Sequence, residues 1–319
     1  MKHLFIINPV AEHVKGKTNE IITRINSFFQ SYRHLEYEIH VTRWSRDATG
    51  FCRKYVSEAR EMVRVYACGG GGTLYEVLNG IIGLPNAQLA FYPLGDSNTF
   101  IRYFGDKNVH LFSSLRNLVY SETVLLDAMK CGENYCMNFS TIGMESIARS
   151  EGFEMSKKLN LPLDVSYYIA TMVNLLAKKS YYKKYDITID GKTINDKFVS
   201  ILMANAPCYG KRLSPAVDAH PNDGYLDLYL SKIVSRYTFV RLMFKYAKGE
   251  YKKYSHVFLH RTFKKIGVSS KEPMCISLDG EVYYDNAFEL EIVPFAVDFV
   301  CPSAIDISKI PRIFGEDSL

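Results

Sequence analysis

Four consecutive glycines, Gly69 to Gly72, followed by Thr73, form the segment of this sequence best suited to chemistry. Val63, Val65 and Ala67 before them read as the end of a buried strand. Leu74, Val77 and Leu78 after them recur at helical spacing. A glycine turn from strand to helix lets backbone N–H groups approach an anion at the positive end of the helix dipole. That geometry suits the phosphates of a nucleotide, although a tight turn with no ligand has the same sequence. A second turn, with Pro93, Gly95, Asp96 and Asn98, also follows an apolar strand and precedes a helix start. Two such turns after successive strands lie at one edge of a parallel sheet, where open α/β sheets bind ligands. A third element, Leu278, Asp279, Gly280 and Glu281, is a strand ending in an acidic turn.

The elements that must position these residues fall into two styles. Residues 1–126 alternate strands, near Lys2–Ile7, Glu36–Val41, Arg64–Cys68 and Gln88–Pro93, with helical patterns such as Asn19–Tyr32 and Ala48–Glu61. This predicts an α/β nucleotide-binding domain with a mostly parallel sheet covered on both faces. From Leu125 onward, alternating segments are joined by hairpin signals at Cys131–Asn134 and at Asp190 and Gly191. Val199–Asn205, Tyr225–Leu230, Phe258–Val268 and Met274–Leu278 continue in that style, with two helices near Ser166–Ala177 and Ser235–Tyr251. Residues 127–295 are therefore expected to form an antiparallel β-sandwich domain.

With these segments in order, the chain resembles the diacylglycerol kinase catalytic family, which includes bacterial lipid kinases and, more remotely, sphingosine kinases. The family's glycine signature is Gly-Gly-Asp-Gly-Thr, followed by a helix ending in Glu-x-x-Asn-Gly. Gly69, Gly70, Gly72, Thr73, Glu76, Asn79 and Gly80 match it. Pro93, Gly95 and Asn98 match the second turn, and Leu278 to Glu281 match the late Leu-Asp-Gly-Glu. Ile7, Asn8, Pro9, Gly16 and Lys17 agree at the start, as do Asp223, Gly224, Leu226 and Asp227 later, and Val293 and Pro294 near the end. The signature aspartate is Gly71 here, the threonine of the second turn is Asp96, and the aspartate that often follows its asparagine is Thr99.

The resemblance implies an ATP- and Mg²⁺-dependent kinase acting on a lipid alcohol of the diacylglycerol type, with its site in the cleft between two domains. Residues 296–319 are then expected to return to the first domain. By the same resemblance, Thr73 and the amides of Gly70 to Gly72 hold phosphate oxygens, Thr42 contacts the nucleotide, and Glu281 is the general base. Asp127 matches an acidic position of the active-site metal network. It is equally readable as a cap at the domain junction. Asp223, with backbone oxygens of His220 and Tyr225, matches a structural magnesium loop, and is equally readable as a plain Asp-Gly turn. Asp96 is either a relocated carboxylate replacing the one absent at position 71 or a surface turn residue. Loss of that carboxylate raises a rival reading, a catalytically impaired nucleotide-binding or lipid-sensing protein of the same fold. NAD kinase activity is a weaker third reading, because the Leu-Asp-Gly-Glu segment and the domain pattern favour the lipid side.

The bulk properties agree with either of the first two. The chain has 319 residues, 47% apolar and 23% charged, with a net charge of +5, a globular profile that permits attraction to anionic surfaces without calling for nucleic acid. No apolar run approaches the roughly 18 residues of a spanning helix. The beginning of the chain reads as a first strand rather than a signal peptide, and seven scattered cysteines point to a reducing compartment, so the expected location is cytoplasmic. Basic and aromatic residues mix at Lys178–Tyr185, and again at Arg241, Phe244, Lys245, Lys248, Lys252 and Lys253. They fit either a peripheral contact with an anionic membrane or ordinary solvated faces. Trp44 is expected to be a packing residue.

Overall fold

A computed structural model describes the chain except for residues 12–13, 96–97, 178–180, 209–213 and 307–319, and the side chains of residues 164 and 177. Two compact units divide it. The first is Met1–Ala128 with the described part of Val293–Leu319, and the second is Met129–Ile292.

The first unit is built by three successive strand–helix steps. β1 (Lys2–Ile7), α1 (Thr18–Ser31), β2 (Glu36–Val41), α2 (Asp47–Glu58), β3 (Val63–Gly69), α3 (Gly71–Ile81) and β4 (Ala87–Pro93) follow one another along the chain. The four strands lie parallel in the order β4-β3-β1-β2. Each helix buries a stripe at helical spacing, such as Ile21, Ile25 and Phe29 on α1 and Ala48, Cys52 and Val56 on α2. β3 is buried along its whole length, as a strand flanked on both sides and covered on both faces must be. Because β2 leaves β1 on one side and β3 lies on the other, the strand order reverses between β1 and β3. That reversal is the point at which open α/β sheets receive ligands. α4 (Leu115–Tyr120) follows, capped by the Ser114 hydroxyl, which accepts from the Asn117 amide. β5 (Thr123–Cys131) then carries the chain into the second unit.

The second unit is antiparallel. It comprises β6 (Asn134–Cys136), β7 (Phe139–Gly143), α5 (Met144–Leu159), α6 (Leu163–Ala177), β8 (Lys183–Ile189), β9 (Lys192–Ala204), β10 (Leu226–Lys232), α7 (Arg236–Tyr246), β11 (Phe258–Phe263), β12 (Lys265–Leu278) and β13 (Glu281–Val300). The order β11-β10-β9-β7-β12-β13 runs through it, and β8 pairs with both β9 and β12. Two-residue turns join Ile189 to Lys192 and Leu278 to Glu281. Asp190 and Gly191 have φ of 45° and 84°, and Asp279 and Gly280 have 46° and 105°, the left-handed pairs that match hairpin twist. β13 belongs to the first unit from Val293, and its Phe299 pairs in parallel with Leu89 of β4.

Three expectations need correction. α5 was not foreseen, because its buried positions include Ser146, Ala148 and Gly152, which give no apolar signal. Gly152 is what lets α6 approach, since a Cβ there would stand 2.9 Å from the Tyr167 Cα. The run Phe258–Val268 is two strands, β11 and β12, broken at Lys264. Trp44 is 65% exposed and packs into no core.

Within the first unit His3 is buried, its Nδ1 lies 2.7 Å from the Tyr66 hydroxyl, and its ring is near Phe29. Burial and, secondarily, the Arg64 charge lower its pKa from 6.5 to about 4. The unfolded chain therefore takes up a proton that the folded chain resists. Stability is unaffected above the unfolded value and falls as pH drops from there towards about 4, by up to about 3 kcal/mol. Urea unfolding from neutral pH to about pH 4 is expected to show this slope, and His3→Gln is expected to flatten it.

Candidate functional site

The glycine turn is shaped by what each position must avoid. A Cβ at Gly69 would stand 2.2 Å from the Thr73 Oγ1, so only glycine leaves room for that hydroxyl. A Cβ at Gly95 would stand 2.6 Å from the Gly70 Cα, so the two turns touch through bare backbone. The Leu94 amide donates to the Gly69 carbonyl at 2.8 Å and fastens them together. Gly70 is the extended residue ahead of α3, and Gly71 and Gly72 open its first turn. The first amides of a helix have no partner within it, so these glycines present donors at its positive end. A Cβ at Gly71 would meet nothing within 4 Å.

Thr73 is buried, and its Oγ1 accepts from the Asn8 Nδ2 at 3.1 Å. The Asn8 Oδ1 accepts from the Val10 amide, which orients the side chain. Thr73 is thus left with its own proton to donate. Asn8 follows β1 and Thr42 follows β2, with the Thr42 amide bonded to the Ile7 carbonyl at 2.9 Å. Gly95 and Asn98 follow β4. Asn98 has φ of 42°, and its buried Oδ1 has no donor among the described residues. Asn8, Thr42, Gly69 to Thr73, Gly95 and Asn98 therefore share the carboxyl edge of one parallel sheet. Asn8 was legible only as part of a matching opening, and its grip on Thr73 depends on strand order. Asp96 lies outside the described residues.

Glu76 and Gly80 also join α3 to α2. The Glu76 carboxylate accepts from the Arg46 amide at 2.9 Å, where the chain turns into α2 with φ of 65°. The Glu76 carbonyl accepts from the Thr49 hydroxyl at 2.8 Å. A Cβ at Gly80 would stand 2.7 Å from the Cys52 Cβ. Both residues dock α3 against α2 and so fix the helix whose amino end carries the glycines. Asp127 is fully buried, and its Oδ1 accepts from the Phe295 amide at 2.8 Å, where β13 bends through φ of 54°.

In the second unit, the acidic turn separates two carboxylates. Asp279 points inward and accepts from the amides of Met137, Asn138 and Phe139 at 2.8, 3.1 and 2.9 Å. Burial pushes its carboxyl pKa up, against the pull of those amides and of the Arg149 charge. A Cβ at Gly280 would stand 3.0 Å from the Arg149 guanidinium, which also lies over the Phe139 ring. Glu281 is exposed, and its carboxylate has no hydrogen-bond or ion partner among the described residues. Arg149 escaped sequence reasoning because it sits on the unforeseen α5.

The Asp223 Oδ1 accepts from the Tyr225 amide at 2.9 Å, and the His220 carbonyl accepts from the Asn222 amide at 2.9 Å. The Asn222 Oδ1 is buried with no donor among the described residues. An orphaned acceptor among carboxylate and carbonyl oxygens fits a hard cation such as Mg²⁺. Among the described residues no three His, Cys, Asp or Glu side chains gather into a metal-binding group, so such a cation would depend on backbone and amide oxygens.

Comparison with known proteins matches residues 2–131 to the diacylglycerol kinase catalytic domain and residues 141–301 to the YegS C-terminal NAD kinase beta sandwich-like domain. A candidate lipid kinase from Staphylococcus aureus strain Mu3 is 23% identical over 292 residues, covering 91% of this chain and 92% of its own. One from strain Newman is 23% identical over 295 residues, with the same coverage. Among solved structures, a candidate diacylglycerol kinase from Bacillus anthracis str. Sterne superposes with a TM-score of 0.74 at 22% identity, covering 96% of each chain. A structure of a diacylglycerol kinase from the same strain gives 0.66 at 20% identity, covering 96% of this chain and 98% of its own. At these identities the two structures speak for the fold.

The three amides on Asp279 predict a structural cost for its loss. Asp279→Asn keeps the shape but turns one oxygen into a donor facing donors. It is expected to lower the unfolding free energy by about 2–4 kcal/mol. Chemical denaturation of the variant measures this directly.

Proposed function

Because the chain belongs to the diacylglycerol kinase catalytic-domain family and carries a YegS-type C-terminal domain, we propose that it transfers the γ-phosphoryl group of ATP to a lipid alcohol of the diacylglycerol kind. The observation that carries this reading is the glycine turn, where unpartnered amides and the Thr73 hydroxyl converge beside the strand reversal. The amides of Gly70 to Gly72 and Thr73 hold phosphate oxygens, as helix amino ends do for anions. Thr42, Gly95 and Asn98 line the same edge and complete the nucleotide's bed.

In the transfer, the alcohol oxygen bonds to the γ-phosphorus as the bond to the bridging oxygen breaks and ADP leaves. The alcohol's proton must go to a base. Glu281 suits that task because its carboxylate is exposed and uncommitted, whereas Asp127 and Asp279 are bonded to backbone amides. Mg²⁺ neutralises charge on the phosphates when bound. The oxygens of His220, Asp223 and Tyr225, with Asn222 beside them, would hold a second, structural ion. Asp127 then serves the chemistry indirectly, by fixing the bend at Phe295.

One observation favours a second reading, a protein that binds nucleotide without turnover. Position 71, where the family signature has aspartate, has no side chain. The open space there means that the carboxylate is missing rather than excluded.

Incubation with γ-labelled ATP, Mg²⁺ and mixed lipid alcohols tests both. The kinase reading expects labelled lipid, reduced about 10²–10⁴-fold by Glu281→Gln with nucleotide binding retained. Unchanged transfer in that variant would remove Glu281 from the mechanism. Gly71→Asp is expected to fold normally and to raise transfer at least about tenfold if it restores a carboxylate to the metal. ATP-dependent thermal stabilisation with no labelled lipid from the wild type, and transfer only from Gly71→Asp, would establish the second reading.

A further inference from the structure

Trp44 is the single tryptophan of the chain and is 65% exposed. Its indole N–H has no acceptor, and no other ring lies against it, among the described residues. Apolar side chains exposed singly are ordinary on a protein surface. The place of this one is not. It stands two residues after Thr42, at the carboxyl end of β2, on the sheet edge that carries the glycine turn. β2 lies beyond β1, and β1 beside β3, so the end of β2 is about 10 Å from that of β3. A ribose and its base extend over a span of that order. On the opposite side of the glycine turn the Gly95 backbone lies against Gly70, which closes that direction to a ligand.

The loop that carries Trp44 is tied at several points. The Asp47 carboxylate accepts from the Arg43 amide at 2.8 Å and lies 3.1 Å from the His40 Nε2, whose ring stacks on Phe51 at 3.7 Å. The Asp47 amide donates to the Trp44 carbonyl at 3.3 Å and closes a turn over residues 44–47. The Arg46 amide donates to Glu76, which is three residues past Thr73 on α3. Three residues of helix advance about 4.5 Å, so the loop is fastened within one turn of the helix end that carries the glycines. Arg46 has φ of 65°, a conformation that glycine takes freely and arginine takes with strain. Strained backbone of this kind collects at ligand sites. Arg43 and Arg46 are both exposed and have no ion-pair partner among the described residues.

We propose that residues 43–46 receive the base of the nucleotide, with the Trp44 indole stacked on it and Arg43 and Arg46 supplying positive charge alongside. The inference rests on the reading of the glycine turn as a phosphate cradle. It adds the residue that lets the site tell a nucleotide from a bare polyphosphate. An indole offers a broad aromatic face, and stacking on a base adds binding energy without reading the base's edge. Guanidinium groups beside the stack attract the anionic ligand and extend the contact through cation–π attraction. Asp47 and Glu76 already hold the backbone of the loop, so Trp44 loses little freedom when a base arrives. The stack does not depend on turnover, since a nucleotide-binding protein without kinase activity would use the same face.

Because Trp44 is alone, all tryptophan emission of the full chain reports this loop. Fluorescence and calorimetric titrations with ATP and with inorganic tripolyphosphate, each with Mg²⁺, test the proposal. ATP is expected to quench the emission with the midpoint that calorimetry gives for its binding, and tripolyphosphate to bind without quenching. Trp44→Ala is expected to weaken ATP about tenfold or more and to leave tripolyphosphate unchanged, whereas Trp44→Phe keeps most of the ATP affinity. Arg46→Gly is expected to melt no lower than the wild type, since it relieves the backbone, and yet to bind ATP several-fold more weakly. Calorimetric binding of ATP with unchanged emission, or with wild-type affinity in Trp44→Ala, would overturn the stack and leave the phosphate cradle standing. Binding of neither ATP nor tripolyphosphate would remove the cradle itself, and the stack with it.

Discussion

The first unit depends on a contact that no side chain makes. Gly95 and Gly70 bring two loops together backbone to backbone, and a single methyl group at Gly95 would stand only 2.6 Å from the Gly70 Cα. That approach fixes the turn after β4 against the turn after β3. Gly69 adds a second constraint, because the Thr73 hydroxyl occupies the volume its side chain would fill. Asn8 then reaches from β1 to hold Thr73 in place. Three strands thus converge on one hydroxyl and one helix end, two of them because glycine permits a distance that other residues forbid and the third through the Asn8 side chain.

The acidic motif residues divide by what they are bonded to. Glu76 is tied to the Arg46 amide, Asp127 to the Phe295 amide, and Asp279 to three amides in succession. A carboxylate holding backbone donors is a preorganising device, since removing it strands buried N–H groups. Two of these acids stand where the backbone takes a left-handed turn, at Arg46 and at Phe295, and Asp279 takes one itself. Their charges secure conformations that the chain would otherwise avoid. Of the carboxylates at motif positions in the described residues, Glu281 alone is exposed and unbonded, which is what the proposed kinase reading asks of its base.

The strand–helix alternation of residues 1–126 was readable from periodicity because its strands are apolar runs and its helices bury regular stripes. The hairpin at Asp190 and Gly191 was readable because two left-handed residues in a row demand that chemistry. The common sheet edge of the two turns was legible from the glycines, and strand order alone brings Asn8 and Thr42 to the same side. Other features were illegible for physical reasons. α5 packs through Gly152 and small residues, so its buried face carries no apolar signal. α6 was foreseen as a helix, but spacing cannot say which side of a helix faces out, and Ser166, Thr171 and Asn174 are buried along with Ala170 and Leu175. The grouping of Glu76 with the ligand-binding residues rested on its place in the motif. Its bond to Arg46 depends on a contact between α2 and α3 that only the folded chain shows.

Gly71 is the point on which the chemistry turns. At the amino end of α3 the helix dipole and the free amides attract anions, and an aspartate there would oppose that attraction while recruiting a cation. Its absence separates two properties that the family signature combines. Phosphate binding depends on backbone N–H groups that glycine supplies as well as aspartate does, and glycine leaves them without a neighbouring negative charge. Metal capture depends on oxygen ligands, and those of Asp127 and Asp279 are already engaged by backbone. The physical expectation is a site that keeps its grip on nucleotide more firmly than its grip on the metal. Any phosphoryl transfer would then lean on the phosphates themselves to retain Mg²⁺. The vacancy around position 71 makes this a matter of one side chain, because the fold already has room for the group it lacks.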